Sequence, residues 1–309
     1  MPRHHRLAPC LAGRLAITGA LALACASPSA WAVGGKLLLT GGVSSIDGAA
    51  GGGLTPWAVT GGYGTAGEIG GSAFATRVKT QDFSVNAYGA ALAYGDRIEL
   101  SFARQSFDTG PVGTTLSMPG LKLRQDIVGV KLRVFGDAVL DSDTWAPQVA
   151  LGVQHKTSDA GALESTLASF GAKDSGTDVY VSATKLFLAP GLLVNGTLRA
   201  TKANQNGLLG FGATGHTSYR LQPEVSLAWL LRRDLAIGAE YRAKPDNFRD
   251  NTALGAGALN EDDWADVFVA WAPSKHFSLT LAYVDAGKIV PGVVNKRQTG
   301  AYLSAQVAF

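Results

Sequence analysis

Cysteine is scarce in this 309-residue sequence, and both cysteines, Cys10 and Cys25, lie within the first 32 residues. Residues 33–309 therefore offer no disulfide, no Cys-ligated zinc site and no thiol nucleophile. Charged residues are also few, at 17%, whereas 46% of the residues are hydrophobic. Intrinsic disorder requires the opposite balance, so the composition predicts a folded chain.

Long apolar runs and an excess of one charge are missing as well. Beyond residue 32 no run reaches 18 apolar residues, which excludes a helical membrane protein. Three of the 27 Lys and Arg residues (Arg3, Arg6 and Arg14) precede residue 33, which leaves 24 to balance the 24 Asp and Glu residues. This even balance gives no support for a nucleic-acid partner, and none is predicted.

The first 32 residues have the pattern of a secretory signal. A basic stretch, 1–14, precedes the apolar run LAITGALALACA at 15–26, and Ala30-Trp31-Ala32 forms an A-x-A cleavage site. The alternative is a lipid-modified Cys25, which the preceding residues fit only loosely. We expect residues 1–32 to be a cleaved signal peptide and residues 33–309 to form the exported protein.

Apolar and polar residues alternate with period two along most of the exported part. In Gln298–Phe309 one face carries Ala301, Leu303, Ala305, Val307 and Phe309. Several such runs last about ten residues, longer than the usual globular strand of about five or six and close to the roughly 9–11 of a tilted membrane strand. A soluble β-sandwich would alternate in the same way, but the repeated long strands favour an all-β, antiparallel up-and-down transmembrane barrel.

Counting back from Phe309 predicts about fourteen strands. Their ranges are 36–43, 55–63, 70–79, 82–94, 96–107, 121–135, 145–156, 177–188, 191–203, 217–231, 234–244, 264–272, 276–285 and 298–309. Twelve is the alternative, with the Gly-rich beginning inside the lumen rather than in the wall. A change of phase near 125–128 predicts a bulge in the sixth strand.

Short and long links mostly alternate between these strands, as in bacterial barrels with short turns on one side and long loops on the other. The Gly-dense segment 41–64 is predicted to be a flexible outer loop, with a lumenal hatch as the functional alternative. Residues 245–262 are the candidate for a loop that folds into the barrel mouth.

Four stretches carry a family resemblance: 34–65, 136–141 (GDAVLD), 180–204 and 261–285. Through them the chain from Gly34 to Phe309 resembles an uncharacterised proteobacterial family of outer-membrane β-barrel proteins, known only as a domain of unknown function. The resemblance implies a location in the outer membrane of a Gram-negative bacterium, and it implies no substrate. The expected partners are outer-membrane lipid and, through the aromatic C-terminal residue Phe309, the barrel-assembly machinery.

The predicted lumen is the main candidate for a functional site. By strand phase it is lined by six basic and four acidic residues, namely Arg77, Lys79, Arg97, Arg199, Arg220, Arg242, Glu99, Glu224, Glu240 and Asp266. Such residues set the field inside a water-filled channel. They predict a porin-like passage for a small solute, with a mild preference for anions because the bases outnumber the acids.

Two alternatives remain at this stage. An outer-membrane hydrolase would use the histidines of the exported part (His155, His216 and His276), although no diagnostic spacing accompanies them. A structural barrel would have a lumen filled by paired charges. We predict that the protein is not an enzyme and has no catalytic residue, metal site or cofactor.

Overall fold

The computed structural model describes residues 36–138 and 145–309, so the predicted signal peptide, 1–32, lies outside the described residues. A closed antiparallel barrel of twelve strands encloses a small two-stranded sheet. That sheet consists of β1 (Val43–Ser44) and β2 (Ala50–Gly51). The wall consists of β3 (Ile69–Thr80), β4 (Ser84–Tyr94), β5 (Ile98–Asp108), β6 (Lys122–Phe135), β7 (Gln148–Asp159), β8 (Ser175–Phe187), β9 (Leu192–Thr201), β10 (Arg220–Arg232), β11 (Leu235–Arg242), β12 (Trp264–Ser274), β13 (Phe277–Asp285) and β14 (Thr299–Ala308).

Every wall strand pairs with its neighbours in sequence, and β14 closes the barrel by pairing with β3 from Gly300↔Thr80 to Ala308↔Ser72. Each of the last twelve predicted ranges overlaps one wall strand. The wall therefore has the twelve strands of the alternative count. A closed barrel also replaces the soluble sandwich, because the sheet has no free edge.

The count of fourteen is wrong because the predicted strands 36–43 and 55–63 do not enter the wall. The short strands β1 and β2, which begin at the end of the first range and lie mostly between the two, pair only with each other, and residues 43–60 are buried throughout. A wall strand needs an outward row of large apolar side chains, and a segment this rich in glycine lacks one. It lies inside the barrel.

The two faces of the wall differ in composition, as the alternation predicts. In β5 the outward residues Leu100 and Phe102 are exposed, whereas Glu99 and Gln105 on the other face are buried. The bulge predicted near 125–128 is absent from β6, where Gln125 and Ile127 follow each other on the inner face. The register of β6 against β7 shifts instead between Arg133 and Phe135, beside the turn.

Links of different length mark the two ends of the barrel. At one end β4–β5, β8–β9, β10–β11 and β12–β13 are joined by turns of two to four residues. At the other end lie the long links 109–121, 160–174, 202–219, 243–263 and 286–298, two of which contain the short helices Pro111–Thr115 and Glu164–Ser169. We call these the short-turn end and the long-loop end. No helix in the described ranges has the length and apolar character needed to cross a bilayer.

Candidate functional site: the occupied lumen

A single segment of the chain fills the middle of the barrel. We call residues 36–64 the plug. It starts at the short-turn end, where the Lys36 ammonium lies 2.7 Å from an Asp96 carboxylate oxygen in the β4–β5 turn. It returns to the same end, where the Tyr63 N–H donates to the Phe309 carbonyl (2.9 Å) before β3 begins. The plug therefore enters and leaves the lumen on one side.

An ion network anchors the tip of the plug. Asp47 lies 2.8 Å from Arg242 Nη1 and 3.6 Å from Lys156 Nζ. The Lys156 ammonium also reaches Asp178 (3.0 Å), and Arg199 bonds Glu224 through Nε at 2.5 Å. These side chains are almost completely buried. Three acids thus balance three bases in a region without bulk water, as buried charges require.

The pKa of Asp47 reflects this setting. Burial alone would raise it, but the positive charges of Arg242 and Lys156 outweigh burial and hold the pKa below its usual range. Asp47 is accordingly ionised at every physiological pH, and its attraction to the wall is always present.

A second buried pair holds both arms of the plug. Lys131 Nζ lies 3.1 Å from Glu99 Oε1 and donates to the carbonyls of Ala50 (2.9 Å) and Trp57 (3.2 Å). Glu99 accepts the N–H groups of Ala50 (3.1 Å) and Gly61 (2.7 Å). One Lys–Glu pair of the wall thus bonds four buried backbone groups of the plug, and buried backbone groups require such partners.

The opposite wall contacts the plug through Glu240. Its Oε2 accepts the Leu54 N–H (2.7 Å), and its Oε1 accepts the Thr55 hydroxyl (2.7 Å). A Cβ placed on Gly52 would lie 2.0 Å from Glu240 Oε1. Glycine at this position therefore allows the backbone to approach the wall carboxylate.

One loop from the long-loop end also reaches the plug. In the turn Asn204–Gly207, Gln205 and Asn206 have positive φ values of 45° and 60°, a strained conformation for residues other than glycine. The strained turn brings the Asn206 amide within 2.8 Å of Asp47 and its side-chain oxygen within 2.6 Å of Arg242. The plug tip is thus held both by wall residues and by the turn Asn204–Gly207 of the long-loop end.

A buried Lys–Glu pair lies behind this turn, between β11 and β12. Lys244 Nζ is 3.9 Å from Glu261 Oε2, which accepts the Gln205 N–H at 2.7 Å. Burial, only partly offset by Lys244, raises the pKa of Glu261 to about 8. Burial likewise lowers the pKa of Lys244 to about 8, against the pull of Glu261. This pair lies in the link 243–263, where the long loops meet the barrel wall.

Six of the predicted lining residues face inward and are buried, namely Glu99, Arg199, Glu224, Glu240, Arg242 and Asp266. Arg220 lies half-buried at the long-loop end of β10, with its guanidinium 3.1 Å from His216 Nδ1. The lining residues form a contact layer around the plug rather than the surface of an open channel.

Three predicted lining residues are not in the lumen. Arg77 and Lys79 are exposed on the outer face of β3, because Phe74 on the inner face packs with the plug residue Ile46. Arg97 is exposed in the turn before β5 starts. These corrections leave three bases against four acids among the predicted residues, so the basis for an anion preference disappears.

Sequence reasoning missed Lys131, Lys156 and Asp178, all of which are buried in the wall. A signal was available for Asp178, because its neighbours Val179 and Val181 mark the outer face of β8. The supposed bulge in β6 concealed the phase of Lys131. The candidate inward loop 245–262 is buried at both ends, since 245, 247, 248, 258 and 259 are buried, but 249–256 are mostly exposed. The deeper loop is 204–207.

The three histidines lie at separate places. His155 is exposed on the outer face of β7 and bonds Thr177 (3.0 Å), and His276 contacts the Ala308 carbonyl at the short-turn end. His216 uses both ring nitrogens, with Nε2 2.6 Å from Asp250 and Nδ1 facing Arg220. Within the described ranges no cluster of three or more His, Cys, Asp or Glu residues has the geometry of a metal site.

A family model described as a protein of unknown function, DUF3034, matches residues 40–306. The chain belongs to the DUF3034 family. This match confirms the family resemblance drawn from the sequence, and its range covers most of the plug and nearly the whole wall. No curated protein is significantly similar to this DUF3034 chain in sequence.

Solved structures similar to this DUF3034 chain are barrels of low sequence identity. KdgM porin has 9% identity over 77% of this chain and 99% of its own, with a TM-score of 0.47. NanC porin has 9% identity over 77% and 98%, with a TM-score of 0.48. The COG4313 outer membrane channel from Pseudomonas putida F1 has 13% identity over 79% and 95%, with a TM-score of 0.46. The barrel assignment rests on the closed strand order of this chain itself.

Proposed function

We propose that this chain is a bacterial outer-membrane barrel through which a small solute passes when the plug moves. The apolar outer face supports the location. Leu100, Val130 and Leu281 are about half exposed on it, and β14 has ten residues, the length of a tilted membrane strand. An apolar belt of this kind is stable in lipid and unfavourable in water.

The observation that carries the proposal is the way in which the plug is held. Its strands β1 and β2 pair with each other and not with the wall. The plug meets the wall through ion pairs and hydrogen bonds from side chains such as Glu99, Lys131 and Glu240, and through apolar packing of Trp57 in one buried cluster with the wall residue Phe268. Moving the plug would therefore break side-chain contacts, of which water can replace the polar ones, and it would leave the barrel ladder intact.

The wall can also compensate its own charges after the plug leaves. Lys156 keeps Asp178 at 3.0 Å, and Arg199 keeps Glu224 at 2.5 Å. Only Arg242 loses its nearest carboxylate, Asp47, and Glu224 remains 3.5 Å away. A lumen of twelve strands without the plug leaves room for a passage lined by these polar groups.

A pair of disulfide locks tests whether passage requires movement of the plug. The Thr55 hydroxyl of the plug is in hydrogen-bond contact with the Ser226 hydroxyl of β10, and the Ser44 hydroxyl lies 3.4 Å from that of Ser72 on β3. Residues 33–309 contain no cysteine, so Thr55→Cys/Ser226→Cys and Ser44→Cys/Ser72→Cys each create one possible disulfide. We expect the oxidised locks to abolish conductance in planar bilayers and a reductant to restore it.

The four single-cysteine variants are the matched controls, and they should conduct equally before and after oxidation. If the wild type and the reduced locks remain sealed in bilayers that contain folded protein, the passage proposal fails. The structural barrel with a filled lumen would then be the better description. Conductance that persists with both disulfides formed would also contradict the proposal.

We further propose that the histidines have no catalytic part. The separation of the three rings supports this, as does the engagement of both nitrogens of His216 by Asp250 and Arg220. A general base needs a free ring nitrogen beside the nucleophile. His216→Ala should leave conductance unchanged, and esterase or protease activity that is lost in this variant would contradict the proposal.

A further inference from the structure

A second space lies in the barrel above the plug, at the long-loop end. It is a cavity of about 90 Å³. Its floor is formed by Ile46 and Leu54 of the plug, and its wall includes Phe83, Phe107 and Trp264. The ring centroids of Phe83 and Phe107 are stacked 5.5 Å apart. The space directly above the plug is therefore lined mainly by apolar side chains.

Three different long loops cover this cavity. Val112 comes from the link after β5, Leu209 from the link after β9 and Val290 from the link after β13. Val112 and Val290 belong to one apolar cluster with Phe83, and Leu209 packs against that cluster. A space with so few polar partners does not hold ordered water well, and it favours apolar occupants.

Trp264, which lines the cavity, has a polar group without a partner. The indole N–H of Trp264 is buried and makes no hydrogen bond to any described residue. The Lys244 ammonium lies 4.9 Å from the indole ring centroid, as a cation over the ring. A buried donor without an acceptor is unfavourable, so an acceptor that a bound molecule brings to this N–H would stabilise the complex.

We propose that the cavity binds a small neutral molecule with an apolar body and one acceptor oxygen, and that this class of molecule is the solute. The assignment of the solute rests on the passage function proposed above. An apolar cavity of about 150 Å³ binds benzene. The present cavity, at about 90 Å³, is smaller, so binding of a benzene-sized molecule requires the loop side chains of the roof to shift outward.

The cavity floor connects binding of a molecule in the cavity to the position of the plug. Ile46 precedes the anchoring residue Asp47, and the N–H of Leu54 donates to Glu240 at 2.7 Å. A molecule in the cavity therefore contacts side chains that are adjacent to two of the plug's anchors. Its binding biases the plug only to the extent that it contacts the seated and displaced plug differently.

Binding is measured on the folded protein in nanodiscs by ¹⁹F NMR, with empty nanodiscs as the partition control. Fluorobenzene and 4-fluoroacetophenone have similar apolar bodies, but only the ketone has an acceptor oxygen. 4-Fluorobenzoate has a charged head. We expect saturable binding in the order ketone, then fluorobenzene, with no saturable binding of the benzoate because the cavity wall is apolar.

Two substitutions test the site itself. Val290→Phe fills the cavity from the roof and should abolish binding of both neutral probes, with Val112→Phe as a second filling variant if the first fails to fold. Val293→Phe is the matched control, because Val293 lies in the same loop but does not line the cavity. Trp264→Phe should weaken the ketone by about three- to tenfold, the range of one hydrogen bond, and leave fluorobenzene unchanged.

The outcomes separate this inference from the passage function. Equal binding in wild type and folded Val290→Phe, or benzoate binding tighter than the ketone, would overturn the inference. Saturable binding in a barrel that never conducts would retain the cavity as a site and overturn passage. Conductance without binding of either neutral probe would retain passage and overturn the cavity as a binding site.

Discussion

Two layers of the same lumen differ in their buried charges. Around the plug, acids and bases such as Asp47, Arg199 and Glu224 form buried ion pairs beside the apolar packing of plug and wall. Above it, Phe83, Phe248 and their neighbours form an apolar cluster to which the long loops contribute. Ion pairs and hydrogen bonds have fixed geometry, whereas apolar contacts tolerate shifts. The lower layer therefore specifies one seated position of the plug, and the upper layer can adapt its shape.

The difference also determines what each layer loses when one side chain is removed. A charge without its partner remains in a region with little water, and this cost cannot be relieved by small movements. A truncated apolar side chain leaves a hole that neighbouring loops can partly close. Substitutions in the two layers should therefore differ in size and in where the effect appears.

The largest effect is expected for Arg199→Leu in the lower layer. It leaves Glu224 and Asp178 with one base fewer, and breaking a buried ion pair in this way costs about 3–5 kcal/mol. The free energy of unfolding, measured by urea titration of the folded form on gels, should fall by that amount. Conductance should rise because Asp47 of the plug loses the attraction of one of its three nearby positive charges.

The control for Arg199→Leu is Arg232→Leu at the short-turn end. Arg232 also forms a close ion pair, 2.6 Å from Asp234, but its side chain is 65% exposed. Exposed pairs contribute only about 0–1 kcal/mol. Equal losses of unfolding free energy in the two variants would show that burial of the ion pairs in the lower layer adds nothing to their contribution.

A smaller effect is expected for Phe248→Ala in the upper layer. Phe248 is 1% exposed and packs edge-on against Phe170 at 6.1 Å. The loss should be about 3 kcal/mol, the low end for such truncations, because loops can close over the hole. Protease cleavage in the long loops should increase, while conductance should stay at the wild-type level. A conductance above the wild-type level in this variant would mean that a change in the upper layer also releases the plug, so that the two layers are coupled.

Much of the wall could be predicted from the sequence, because membrane strands repeat a simple rule. Lipid on one side requires apolar residues at every second position, as in Leu279, Leu281 and Tyr283 of β13, and this rule located all twelve wall strands. It fails for the plug, where no lipid selects one face. The plug was mistaken in part for strands because it contains short apolar runs such as Leu37–Leu39.

The site was harder to predict because its identity depends on partners far apart in the chain. Asp47 gives no local signal, and its three bases lie on β7, β9 and β11. The rule that charged residues face inward misplaced Arg77, since Phe74 packs with a plug residue whose position the sequence does not reveal. Alternation gives the face of a residue, but the occupant of the lumen determines what that face contacts.

The smallest expected effect is a difference in pH response between the layers. The pKa of Asp47 is below its usual range, so its contribution is complete above the ordinary pKa of Asp and is lost only in stronger acid. The pKa of Glu261 is raised to about 8, so its neutral form stabilises the fold, and that contribution is lost as the pH rises from about 4.5 to 8. Lys244 remains protonated over most of this window. Raising the pH from 5 to 7.5 should therefore lower the hydrogen-exchange protection of the link 243–263, measured relative to the intrinsic exchange rate at each pH, without changing the protection of the plug. Glu261→Gln should remove the response, and a plug that loosens over the same range would contradict the separation of the two layers.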